Sequence, residues 1–353
     1  MALPALALGW PEAANAPGVG LTRWQIGCAA TATAFTGDGE HAAFGFVDGS
    51  VRLVMLNCYD SRRMIGEAIH DGAVRTLAAG DGGEVASLGA DGRAVMIDGG
   101  GFAAELYEPR ADGQGALALD GRGGRFAVAT PAGAWLLDAA GREIAHLETP
   151  PAAALALSPT TQTVAIGCRD SLLLWQPRDN APPQRLESAA VHTLAWSGNG
   201  RRLAAGTDAA TTACWTLDGE PEPATLIGRA GRLSWSSDGS ALVGDGENGL
   251  YCWRPDGEPG KRGWHAPAQL TPMSGRHIDA IACHPNHGLV ATAYDDGCVL
   301  LAELDGGAER LVRHATGTAT LALAWSPDGT RLAAAGEKDV AIFDFREIEG
   351  DRP

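Results

Sequence analysis

Thr320–Phe345 reads TLALAWSPDGTRLAAAGEKDVAIFDF, and its pattern is that of three short strands joined by tight turns. LALAW (321–325) leads into Ser326-Pro327-Asp328-Gly329. In that turn Ser stands at the first corner, Pro presets φ at the second and Gly closes the fourth. RLAAAG (331–336) follows, then DVAIFDF (339–345). Along the first strand Leu321, Leu323 and Trp325 alternate with Ala322 and Ala324, so neither face is polar. A sheet apolar on both faces has to be covered on both, and without helix-forming runs in the chain the cover must be other sheets.

Copies of this unit fill the sequence. Taking Trp325 as the anchor, equivalent positions fall at Phe35, Ala79, Leu119, Leu157, Trp196, Trp235 and Cys283, spaced 38 to 48 residues apart. Each is followed by a turn, such as Thr36-Gly37-Asp38-Gly39 or Ser236-Ser237-Asp238-Gly239, then by second and third strands such as RLAAGT (202–207) and ATTACWTL (210–217). A period near 40 residues with three or four strands per unit is the signature of a propeller blade. The L-A-W-S-P-D-G run (323–329), its echoes and the late aromatic of the third strand resemble the WD-repeat β-propeller family over about residues 20 to 346.

The expectation is an all-β chain: a single β-propeller of eight four-stranded blades, with seven as the fallback if the copy at 75–98 or 115–138 is irregular. Residues 1–19 read as a flexible leader and 347–353 as a flexible tail. Outer strands are available for seven blades, for instance RMIGEAI (63–69) and AERLVRH (308–314), but the eighth triplet ends at Phe345. LTRWQIG (21–27) is left to supply the missing strand and close the ring, since a bare flat edge invites aggregation. Departures from the family pattern are plain. Trp175, Trp215 and Trp253 are followed by Gln176, Thr216 and Arg254 rather than Asp, and the Gly-His survives only around His70 and His314. Most blades are therefore expected to lack the family's buried His–Asp network.

Composition narrows the function. The formal net charge is −16 and there is no basic stripe, which argues against nucleic-acid binding as a main role. Only Lys261 and Lys338 are lysines, a bias read as genome composition. Seven cysteines, an odd number set mostly in apolar strands, fit free thiols in a reducing compartment, so a bacterial-type cytoplasm is expected. The apolar start MALPALALGW lacks a positive region and is broken by Pro4; Ala14-Asn15-Ala16 keeps export open as an alternative. No run of about 18 apolar residues suggests a membrane span.

No G-x-S-x-G, H-E-x-x-H or P-loop occurs, and no cofactor is expected. Gly244-Asp245-Gly246-Glu247-Asn248-Gly249 matches G-x-G-x-x-G, but a strand follows it where a dinucleotide site needs a helix. Cys283, His284 and His287 have ligand chemistry, yet His284-Pro285 takes the place of Ser-Pro in a turn. A metal-binding or hydrolytic propeller with ligands in the channel remains the alternative function. The resemblance implies instead a monomeric, non-catalytic platform for protein contacts. Four residues before each anchor, where the family presents side chains to the channel mouth, stand Thr31, Arg75, Gly115, Ala153, His192, Gly231, Asp279 and Leu321. The second–third turns add acids, among them Asp48, Asp91, Asp170, Asp208, Glu247, Asp296 and Asp339. The expected binding set is Thr31, Arg75, His192, Asp279, Asp48, Asp91 and Asp296, facing a protein or peptide with a basic segment. Trp264, in the Pro/Gly-rich loop 254–267, is a further candidate anchor, against the alternative of packing beneath its own loop.

Overall fold

The computed structural model describes residues 19–57, 64–108, 118–122, 124–131, 133–178, 182–209, 211–246, 249–256, 263–271, 276–307 and 309–346. The expected leader (apart from Val19) and tail, Gly115 and Glu247 lie outside the described residues. Within them the chain forms eight four-stranded antiparallel sheets and no helical element. Seven sheets are built from four consecutive strands. The eighth joins Thr320–Trp325, Arg331–Gly336 and Asp339–Asp344 to Gly20–Gln25, which pairs antiparallel with the third strand from Gly20↔Asp344 to Gln25↔Asp339. The chain's beginning thus completes its last blade, as the strand count required, and eight rather than seven blades close the ring.

The alternation read in the sequence explains the packing. On the second strand of blade eight, Leu332 and Ala334 join the apolar cluster shared with blade seven. Their neighbours Ala333 and Ala335 join the cluster shared with blade one. Each sheet therefore spends both faces on its two neighbours, and a buried cluster fills each seam around the ring.

Inner strands run toward one face of the ring and second strands return. The outer–inner connections and second–third turns consequently share one face, the channel mouth, while the inner–second and third–outer turns share the other. On that other face Ser326 Oγ donates to Asp328 Oδ1 at 2.5 Å, and the same carboxylate oxygen accepts Thr330 N–H at 3.0 Å. Gly329 has φ 76°, and a Cβ there would lie 2.3 Å from His284 of the neighbouring blade, so both conformation and space demand glycine. Trp196, Trp235 and Trp325 each send the indole N–H to a carbonyl of the preceding blade, that of Ala156, Ala195 and Ala282, at 2.9–3.1 Å. At two anchors that are not Trp, a polar side chain of the preceding blade makes the cross-blade bond instead. Asp120 accepts Leu157 N–H at 2.7 Å and Ser234 accepts Cys283 N–H at 3.1 Å.

Blade three corrects one sequence assignment. The pairing Gly121↔Phe126 corresponds to Trp325↔Leu332, so Gly121, not Leu119, holds the anchor position. The Asp120-Gly121 pair, read as a turn, belongs to a strand that continues through Arg122. Leu321 is the second correction: pairing skips it between Thr320 and Ala322, so it leaves the alternation of its strand.

Candidate functional site

That skip recurs. Register shifts fall between Ala30 and Ala32, Val74 and Thr76, Ala152 and Ala154, Val191 and Thr193, Ile278 and Ala280, and Thr320 and Ala322. The omitted residues are Thr31, Arg75, Ala153, His192, Asp279 and Leu321, six of the positions singled out four residues before the anchors. A bulge leaves one residue out of the ladder and re-aims its side chain. Here one residue in each of six blades leaves the ladder at the mouth. Arg75, Ala153 and His192 are exposed; Thr31, Asp279 and Leu321 are half-buried.

The freed groups differ in what they touch. Thr31 Oγ1 donates to Val74 O of the next blade at 2.5 Å. His192 Nε2 lies 2.7 Å from Asp208 Oδ1. Asp279 has His277 Nδ1 at 3.2 Å and Arg232 at 3.8 Å. Arg75 has no ion-pair partner among the described residues.

The acids of the second–third turns divide into two kinds. Asp91 is built into its blade: its carboxylate accepts Arg93 N–H at 3.0 Å and Asp71 N–H at 2.9 Å and lies 3.2 Å from His70 Nδ1. His70 Nε2 reaches Ser87 Oγ at 2.8 Å, so blade two retains a His–Asp network. Burial lowers the His70 pKa, outweighing the nearby Asp91 carboxylate. Asp91 itself is held low: burial opposes this, but the Arg93 and Asp71 N–H groups prevail. Asp296 accepts Cys298 N–H at 2.9 Å and pairs with Arg276 at 3.0 Å. Asp245 binds Arg232 at 3.1 Å, and the buried Asp339 takes Arg313 at 3.4 Å together with Arg23 of the closing strand. Asp48, Asp170 and Asp208 are the outward kind, with side chains 44%, 70% and 62% exposed. Asp48 also accepts Ser50 N–H at 2.9 Å and the Cys28 thiol at 3.2 Å.

The sequence reading missed this capping. Histidine alone is the family's cap, whereas here His70, Arg232, Arg276 and Arg313 hold the inward acids of their blades, and Cys28 and His192 touch acids that stay exposed. The detectable signal was position: His70, Arg232, Arg276 and Arg313 each stand at or after the end of an outer strand, opposite the Asp near the following second–third turn.

Trp264 lies on the opposite face. It is half-buried, 5.9 Å ring to ring from Trp235, in a bridge with Pro255. It therefore belongs to no common site with the mouth residues. The Cys283/His284/His287 group also lies there. His284 Nδ1 accepts Asn286 and His287 N–H at 3.0 and 3.1 Å, which leaves Nε2–H to donate to Gly329 O at 2.9 Å. Both nitrogens are occupied, and burial beside His287 pulls the pKa down to about 4. The Cys283 thiol is pushed up to about 12 by burial, which disfavours its thiolate form. Among the described residues no three His, Cys, Asp or Glu side chains are grouped to hold a metal. Gly246 pairs with Gly249 between two antiparallel strands, which is not the strand–helix setting of a dinucleotide loop. No helix among the described residues is long and apolar enough to cross a membrane.

Eight four-stranded blades, the last completed by a strand from the other end of the chain, form a β-propeller. Comparison with known proteins agrees. The family model for the WD domain, G-beta repeat, matches residues 310–344. The chain is similar to protein hir1 of Aspergillus terreus (strain NIH 2624 / FGSC A1156), 27% identical over 191 residues that make up 46% of this chain and 18% of that protein. It thus spans less than a fifth of that relative's length. Among solved structures, the C-terminal WD40 domain of Sif2 superposes with a TM-score of 0.70 at 14% identity, covering 91% of this chain and 98% of that one. The chain is thus similar to WD-repeat proteins in one matched blade, and its likeness to the Sif2 domain is one of fold, a β-propeller.

Proposed function

We propose that this propeller is a non-catalytic scaffold that holds a protein partner at the channel mouth, and that the partner presents a basic segment. The observation that carries the reading is the set of six bulges that take Thr31, Arg75, Ala153, His192, Asp279 and Leu321 out of the strand ladders at the mouth. An inert closure needs no such device, whereas an interface needs side chains free of the core. Six non-equivalent side chains around one ring can tell one partner from another. The basic character follows from the outward carboxylates Asp48, Asp170 and Asp208 in a chain of net charge −16. Asp91 and Asp296 shape the turns that carry the rim and meet the partner only at its edge. Protein-interaction roles are general among WD-repeat propellers, in keeping with this reading. The same proposal has the chain monomeric, cofactor-free and cytoplasmic, with no nucleic-acid or membrane partner. Cys28, Cys168, Cys214, Cys252, Cys283 and Cys298 are all free thiols, which suits a reducing compartment.

The test is binding of a capped, arginine- and lysine-rich peptide to wild type and to Asp170→Lys/Asp208→Lys. The expected outcome is binding weakened about tenfold or more, with a shallower salt dependence. Equal binding by both proteins would remove the basic-segment reading.

A further inference from the structure

Three tryptophans occupy one register position on the face opposite the mouth, and two of them are covered by rings from elsewhere in the chain. Trp235 has Trp264 against it at 5.9 Å and 51°. Trp325 has His284 at 4.5 Å and 61° and Phe345 at 5.5 Å and 37°. Trp196 makes the same indole bond to the preceding blade but has no ring partner among the described residues. In the place of a cover there is a cleft of about 340 Å³ between blades four and five. Trp196 lines it, with Leu174, Leu217 and Pro182 as apolar walls and Gln176 and Gln184 as amide groups. A second cleft of about 250 Å³ shares Thr161, Thr163 and Gln176 with the first and ends on Arg178, which is exposed. Among the described residues no carboxylate lines either, although the chain carries 43 acidic residues against 27 basic ones.

We infer that this cleft receives an aromatic side chain from a partner peptide, which completes in trans the ring pair that blades six and eight complete in cis. The volume falls in the range of about 300–1,000 Å³ usual for small-molecule pockets, enough for one ring and the adjoining backbone. Offset or tilted ring contact with Trp196 supplies attraction beyond simple burial. Gln176 and Gln184 each offer an amide donor and acceptor to the peptide backbone on either side of the ring. Arg178, the one charged residue among the described residues of the two clefts, assigns an acidic residue to the peptide on that side. The occupant is thus an acidic–aromatic peptide segment. Its site is on the opposite face from the mouth, so the two partners are independent.

The full chain labelled with 5-fluorotryptophan gives the readout. Trp196 is assigned by the resonance lost in Trp196→Phe, and independently by the resonance shifted in Gln184→Glu, an exposed strand position. The probes are acetyl-Glu-Pro-Phe-Leu-amide and the same peptide with alanine in place of phenylalanine. The Trp196 resonance is expected to shift saturably with the first peptide, half-saturating below about 1 mM. The alanine peptide should bind at least about fivefold more weakly, and Arg75→Glu at the mouth should leave the response unchanged. The inference is overturned by a Trp196 resonance that does not shift, by equal responses to the two peptides, or by a response lost in Arg75→Glu.

Discussion

Replacing Asp339 by alanine asks whether the ring is held shut by a buried charge as well as by apolar contact. Asp339 sits in the second–third turn of blade eight with its side chain 2% exposed, between two arginines. Arg23 comes from the closing strand and Arg313 from the end of the preceding outer strand. Arg313 is the costlier partner: its side chain is 8% exposed, and burial pulls its pKa down in spite of Asp339. Without the carboxylate, Arg313 keeps, among the described residues, Gly297 O at 2.9 Å and the Thr320 hydroxyl. Breaking a buried pair from one side costs about 3–5 kcal/mol, because the remaining charge is left uncompensated. Arg23 is 42% exposed, so Arg23→Ala loses an outward contact of about 0.2–1 kcal/mol. The expected result is an asymmetry, Asp339→Ala costing several times more than Arg23→Ala. Adding Arg313→Met to Asp339→Ala should recover part of the loss, since no buried charge then lacks a partner. Urea unfolding of the four proteins measures this. A cost for Asp339→Ala below about 1 kcal/mol, or one matched by Arg23→Ala, refutes the role given to the buried pair.

Two further outcomes follow from the same geometry. His284 has a folded-state pKa of about 4, below its ordinary 6.5, so between those values the unfolded chain binds more protons. Its contribution is complete above about pH 6.5 and is lost as pH falls toward 4, about 3 kcal/mol in all. His284→Gln should flatten the rise in stability from pH 4.5 to 7, and an unchanged slope in urea midpoints speaks against it. Deleting residues 1–27 removes the outer strand of blade eight and should lower the unfolding temperature of the whole propeller. A truncated protein that melts like the intact one shows that the closing strand adds nothing.

The blade repeat was legible in the sequence because its causes are local. Ser326-Pro327-Asp328-Gly329 forms its turn from its own side chains, and the alternation around Leu332 and Ala333 assigns each residue to a seam by the two-residue period of a strand. Those features recur at a near-constant spacing, so counting them gave the number of blades, and the missing eighth outer strand pointed to residues 21–27, where the structure has the strand Gly20–Gln25. Blade three escaped because Asp120-Gly121 is locally as good a turn as a strand end, and only pairing with Phe126 chose between them.

The mouth positions were also legible as positions, but their chemistry was not. Whether an Asp of a second–third turn faces a partner or is spent on its own blade depends on the residue that arrives from the preceding outer strand. For Asp91 that residue is His70 and for Asp339 it is Arg313. The uncovered Trp196 was hidden for the same reason. Its sequence context matches those of Trp235 and Trp325, and only the fold shows that Trp264 and Phe345 return to cover those two rings while blade five leaves its own open. Sequence alone determined the turns, the alternation and the blade count, which depend on neighbours along the chain. Contacts between blades decided burial, charge pairing and the open cleft, because those energies depend on groups that only ring closure brings within reach.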